Sequence, residues 1–150
     1  MSGYEQSCYS SLLSKEEQEE ISKHIGAVEE YANNKLIHEL FEEQVEKYSF
    51  KVAVAHAGQE INYQYLNERA NQLARYLREL GAGADNFIGI CLDRSIEVII
   101  SILGVLKAGS AYVPLDPIYP EDRIEYILND TKATLLITHS LLKDKFKSYS

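Results

Sequence analysis

Residues 106–124 read Leu-Lys-Ala-Gly-Ser-Ala-Tyr-Val-Pro-Leu-Asp-Pro-Ile-Tyr-Pro-Glu-Asp-Arg-Ile, and their order decides the fold. An apolar helix runs into Lys107, a cation that suits the carbonyl end of a helix dipole. Gly109 stands where a left-handed residue is needed to stop that helix, and glycine takes that conformation without a Cβ clash. Ala111 to Leu115 form a short apolar run suited to a buried strand, except that Pro114 removes a ladder donor. The strand is therefore short, at an edge, or irregular at that point. Pro117 stiffens the exit, and Pro120 takes the first position of a new helix, with Glu121 and Asp122 in its first turn.

Around this run the pattern from residue 87 onward is strand, helix, strand, helix, strand: Phe87 to Leu92, Ile96 to Ala108, Ala111 to Leu115, Arg123 to Asn129 and Ala133 to Thr138. Such alternation predicts an α/β fold, with parallel strands joined by right-handed crossovers in a βαβαβ unit. Ser95 is well placed to cap the middle helix. That helix is apolar on nearly every side (Ile96, Val98, Ile99, Ile100, Ile102, Leu103, Val105, Leu106), so burial against more than one layer is expected.

Further upstream, helices and a hairpin precede this unit. Leu66, Ala70, Leu73, Ala74, Leu77 and Leu80 form one helical stripe that Gly81 ends. Val52 to Ala57 and Glu60 to Tyr63 flank Gly58-Gln59, the expected hairpin turn. An earlier helix carries Ile37, Leu40, Phe41, Val45 and Tyr48 at helical spacing, opposite Glu39, Glu42, Glu43 and Glu46. Ala32-Asn33-Asn34 reads as a break. Residues 1–34 therefore form an arm or linker, in which Ser14-Lys15-Glu16-Glu17 matches a capping box opening a short acidic helix through about His24.

The chain has 150 residues, 45% hydrophobic and 25% charged, enough for one globular domain with a sizeable core. A net charge of -8 with scattered basic residues argues against a nucleic-acid surface. The longest apolar stretch, Ile96 to Leu106, is broken by Glu97 and Ser101 and falls far short of a membrane span. No basic-then-apolar secretory pattern opens the chain. Cys8 and Cys91 cannot make a disulfide framework, and Cys91 reads as a small buried hydrophobe, which suits a cytoplasmic protein.

Candidate chemistry is sparse. A dinucleotide fingerprint is missing, because Gly81-Ala82-Gly83 follows a helix rather than a strand. His24, His38, His56 and His139 fall in no metal-ligand spacing, and no Ser, His and Asp grouping is visible. Asp93 and Asp116 fall at or just after strand ends, where α/β sheets present functional groups. The simpler reading is that Asp93 helps Ser95 begin a helix and Asp116 shapes the Pro117 turn, and the residue types favour it. No catalytic, cofactor-binding or metal-binding residue is assigned.

The run from Leu106 to Ile124 resembles the second core motif of adenylation domains of nonribosomal peptide synthetases, Leu-Lys-Ala-Gly-x-Ala-Tyr-Val-Pro-(Leu or Ile)-Asp followed by Tyr-Pro-x-x-Arg-Ile, at every fixed position. Ile61-Asn62-Tyr63-Gln64-Tyr65-Leu66 and Asn71-Gln72-Leu73-Ala74 resemble the first core motif, Leu-(Thr or Ser)-Tyr-x-Glu-Leu leading to Asn-x-Leu-Ala. Asn62 caps about as well as serine, but Tyr65 stands where a glutamate would complete the capping box. Lys35 to Gln44 resembles the helix that opens such domains, and Leu12-Leu13-Ser14 faintly resembles the linker after a condensation domain.

The resemblance covers residues 35–150 and implies the N-terminal portion of an adenylation domain, the first part of the large subdomain of an adenylate-forming enzyme. It implies a parent that activates an amino acid with ATP and Mg2+ and loads it on the phosphopantetheine of a carrier domain. The implied partners are the remainder of the adenylation domain and the carrier and condensation domains of the parent, in antibiotic or other secondary-metabolite biosynthesis. The family's phosphate-gripping loop, similar to Thr-Ser-Gly-Thr-Thr-Gly-x-Pro-Lys-Gly, does not occur in this chain, so the chain alone is expected to be inactive scaffold. The rivals are a D-alanine–carrier protein ligase, whose corresponding run is similar, and a non-enzymatic stand-alone interaction module.

Overall fold

The computed structural model describes residues 34–142 together with Ser14, Lys15 and Phe146. The chain divides into two units, Met1–Asn34 and Lys35–Ser150, and every element below belongs to the second. The arm and its acidic helix lie outside the described residues, apart from Ser14 and Lys15.

Helix α1 (Ile37–Tyr48) starts at Leu36, whose backbone N–H donates to Glu39 Oε2 at 2.7 Å. Its apolar stripe is less covered than its spacing suggests. No residue of α1 is buried, Ile37, Leu40 and Tyr48 are exposed, and Phe41 alone reaches an apolar cluster, that of Leu66, Ala70 and Leu103. Strands β1 (Val52–His56) and β2 (Gln59–Asn62) pair antiparallel. Their turn is Ala57-Gly58 rather than Gly58-Gln59, with φ of 48° and 80°. Two positive φ values make the turn whose twist matches that of the strands, and this draws Gln59 into the ladder opposite His56.

Helix α2 (Tyr63–Glu79) begins as its cap residue predicts, Asn62 Oδ1 accepting the Tyr65 N–H at 2.8 Å. Leu66, Ala70, Ala74 and Leu77 are buried. Leu80, read into the same stripe, is exposed because it is the capping residue beyond the last turn. Gly81 follows at φ 94°, and the Ala82 N–H returns to the Leu77 carbonyl at 2.9 Å, closing the helix end.

Strands β3 (Phe87–Cys91), β4 (Ala111–Leu115) and β5 (Leu135–Thr138) form one parallel sheet in the order β4-β3-β5. This is the α/β arrangement the alternation predicts. Pro114 lies in β4, which is an edge strand among the described residues. Ala133, expected in the last strand, instead sits buried before it.

Helix α3 (Ile96–Ala108) joins β3 to β4, and α4 (Glu121–Thr131) joins β4 to β5. Gly109 ends α3 at φ 88°, with the Ser110 N–H on the Val105 carbonyl at 3.2 Å. Lys132 closes α4 in the same way at φ 52°, without glycine's freedom. Pro120 precedes α4 as its cap rather than occupying its first turn.

The two crossover helices lie on opposite faces of the sheet, because β3 alternates its side chains. Ile88 and Ile90 pack with Val105 and Ala108 of α3 and with Ala74 and Leu77 of α2. Cys91 packs with Ile124 and Leu128 of α4 and with Leu115. Helix α3 is covered on two sides by α2 and the sheet, but not all round. Ile99 is exposed, and Val98, Ile100 and Ile102 are half-buried.

Candidate functional site

A strand order of β4-β3-β5 places a switch point between β3 and β4, since their exits lead to helices on opposite faces. The crevice beyond the carboxyl ends of such strands is where open α/β sheets bind ligands. Here it is a cavity of about 780 Å³ with apolar walls from Ile90, Leu92, Val98 and Ile102, and with Tyr112 and Tyr119 beside them. Asp93, Arg94 and Asp116 supply its charge. The structure thus brings the two strand-end aspartates to one cavity.

Asp116 is engaged in shaping the chain. Its Oδ1 accepts the Ile118 N–H at 2.9 Å, and its carbonyl accepts the Tyr119 N–H at 3.0 Å, a side-chain turn and a backbone turn together. Ser95 holds the position that precedes α3 but makes no capping bond to the backbone. Its hydroxyl instead donates to the Glu97 carboxylate, which also accepts from its own backbone N–H. The backbone bond first and the hydroxyl second hold Glu97 below the usual carboxylate range, with the charges of His139 and His56 adding to the effect.

Glu97 and His139 line a second cavity, of about 870 Å³, with Tyr65, Tyr76, Asp93 and Thr138. Thr138 Oγ1 is buried there without a hydrogen-bond partner. Residue types alone did not single out Glu97 or Thr138. The available signal was position, as each stands at a junction where a parallel strand ends or its following helix starts.

Neither cavity fits a triphosphate. Arg94 shares the first with two carboxylates, and no glycine-rich run of backbone amides lines either one. Among the described residues, no three or more of His, Cys, Asp and Glu gather into a metal-holding group.

Residues 41–149 match the profile of the family described as AMP-binding enzyme. Gramicidin S synthase 2 of Brevibacillus brevis is 47% identical over 136 residues, covering 90% of this chain and 3% of that protein. Bacitracin synthase 1 of Bacillus licheniformis is 50% identical over 115 residues, covering 77% of this chain and 2% of that protein. The nonribosomal peptide synthetase FmoA3, solved with alpha-methyl-L-serine-AMP bound, superposes with a TM-score of 0.71 at 29% identity, covering 74% of this chain and 13% of that one. The N-terminal subdomain of Klebsiella oxytoca NpsA superposes with a TM-score of 0.66 at 27% identity, covering 71% of this chain and 28% of that one.

The chain belongs to the AMP-binding enzyme family. Within it, the likeness is to the adenylation part of nonribosomal peptide synthetases, and the chain spans only a few per cent of the length of gramicidin S synthase 2, 3%.

Proposed function

We propose that residues 35–150 are the N-terminal portion of an amino-acid-activating adenylation domain, preceded by a linker over residues 1–34. In the parent, the amino acid carboxylate attacks the α-phosphate of ATP to give aminoacyl-AMP and pyrophosphate. The phosphopantetheine thiol of a carrier domain then takes the acyl group and releases AMP. ATP, Mg2+, the carrier domain and a cytoplasmic setting belong to that reading of the parent. The observation that carries it is the 47% identity over 136 residues to gramicidin S synthase 2, a span that contains most of the described fold. Among the described residues no helix is long and apolar enough to cross a membrane.

In this reading the chain is scaffold. Adenylation needs donors aimed at charge developing on the α-phosphate, and neither strand-end cavity supplies a cradle for it. What the chain contributes is a rigid three-stranded sheet, sandwiched by α3 and α4, to hold loops supplied elsewhere.

The test is amino-acid-dependent exchange of pyrophosphate into ATP, assayed with the proteinogenic amino acids and D-alanine. It is run on the 150-residue chain and on the gene product extended downstream. The expected result is no exchange in the former and exchange with a proteinogenic amino acid in the latter. Exchange by the short chain would refute the scaffold role, and exchange with D-alanine alone would mark a D-alanine–carrier protein ligase. Inactivity of both would favour an interaction module.

A further inference from the structure

Among the described residues, helix α1 is joined to the rest of its unit in two places. Its C-terminal end is fixed through backbone: Tyr63 N–H donates to the Lys51 carbonyl at 3.1 Å, and Gln64 N–H to the Ser49 carbonyl at 3.0 Å. Further up, the attachment rests on two adjacent residues. Phe41 stacks on Tyr63, ring centroids 5.9 Å apart, and Glu42 pairs with Lys107 of α3. No residue of α1 is buried.

The two ends of the ion pair differ. The Lys107 side chain is 4% exposed and that of Glu42 is 48%. Arg78 of α2 donates to the Lys107 carbonyl, so the cation is built into the α2–α3 pair while its counter-ion stands on α1. A buried ammonium that loses its carboxylate partner is strongly penalised, whereas a half-exposed carboxylate is readily hydrated. Solvent reaches the pair from the Glu42 side and from a cavity of about 290 Å³ lined by His38, Glu39, Arg75 and Arg78. Salt therefore screens the pair more than it would a fully buried one.

We propose that α1 is a hinged strap, with its hinge at Ser49–Lys51 and an electrostatic latch at Glu42–Lys107, that lifts from α2 and α3 as a unit before the rest of the domain opens. Elements with few buried contacts supply the low-energy end of such local openings.

Hydrogen exchange read by mass spectrometry on the gene product containing residues 1–150 tests this, in wild type, Glu42→Gln and the double variant Glu42→Met/Lys107→Met. Glu42→Gln keeps the half-exposed site polar and should accelerate exchange in residues 40–48 by about tenfold or more, leaving α2, α3 and β3 at wild-type rates. Added NaCl should produce the same local opening in wild type. The double variant should recover protection and lose the salt response. Unchanged exchange in α1 of Glu42→Gln, equal acceleration across all elements, or a salt response persisting in the double variant would each overturn the proposal.

Discussion

Gly104 of α3 lies directly against Leu73 of α2: a Cβ built on Gly104 would come within 2.8 Å of Leu73 Cδ2, 2.9 Å of Cγ and 3.1 Å of Cβ. The nearest atoms include the root of the leucine as well as its tip, so relief requires the helices to part. Gly104→Ala is expected to destabilise the fold by roughly 1–3 kcal/mol from overpacking, reduced by the gain of up to about 1 kcal/mol in helix propensity. Urea unfolding measures the balance. A more stable alanine variant would show that α2 and α3 have slack at this contact.

At Gly89 the comparable approaches, 2.8 Å and 2.9 Å, are to the terminal methyls of Leu136 and Leu128. Side-chain ends can rotate away, so Gly89→Ala should cost less than Gly104→Ala in the same assay. The reverse order would contradict the geometry.

Gly109 and Lys132 close their helices with the same hydrogen-bond pattern, at φ of 88° and 52°. Gly109→Ala should therefore cost on the order of 1 kcal/mol, and Lys132→Gly should recover up to about that much by removing a strained Cβ. Thermal melts of both variants decide the matter, and shifts of the same sign would refute it.

Asn62 caps α2 alone, because Tyr65 cannot return a bond to the Asn62 backbone. Asn62→Ala should lower stability by about 1 kcal/mol, and Tyr65→Glu should raise it by a few tenths. A Tyr65→Glu variant no more stable than wild type would show that the tyrosine's other contacts outweigh the second half of the box.

Glu97 titrates below the ordinary carboxylate range because its own N–H and the Ser95 hydroxyl favour the ionised form. A carboxyl whose pKa falls on folding stabilises the folded chain above its unfolded pKa. That contribution is lost as pH falls through the lowered folded value. The group is exposed, so the effect is small. The stability gap between wild type and Glu97→Gln should be widest at neutral pH and close in acid; a gap independent of pH would exclude the linkage.

What the sequence made legible follows from how local each signal is. Periodicity located α2, continuous apolar runs located α3 and β4, and the residue types at Asn62 and Gly109 determined how helices start and stop there. The stripe on α1 reported which face is apolar but not what covers it, so Ile37 and Leu40 emerged exposed. The hairpin turn was displaced by one residue because Ala57, unlike glycine, gives no sign of adopting a positive φ. Lys107 read as a dipole-facing cation, yet its partner Glu42 lies 65 residues away, a relation no window of sequence contains. Asp93 and Asp116 could be placed at strand ends, but their shared cavity depends on strand order. That order needed the fold.

The middle position of β3 also bears on folding during synthesis. Both of its edges are paired by strands that come later in the chain, β4 and then β5. As the polypeptide leaves the ribosome, Phe87 to Cys91 emerges with two bare backbone edges and an apolar sequence. One edge closes when β4 arrives, and the other stays open until β5 has been made. Over that interval the nascent strand is a template for pairing with other chains. Slow translation through α4 would therefore lengthen the time during which this domain is most prone to aggregate.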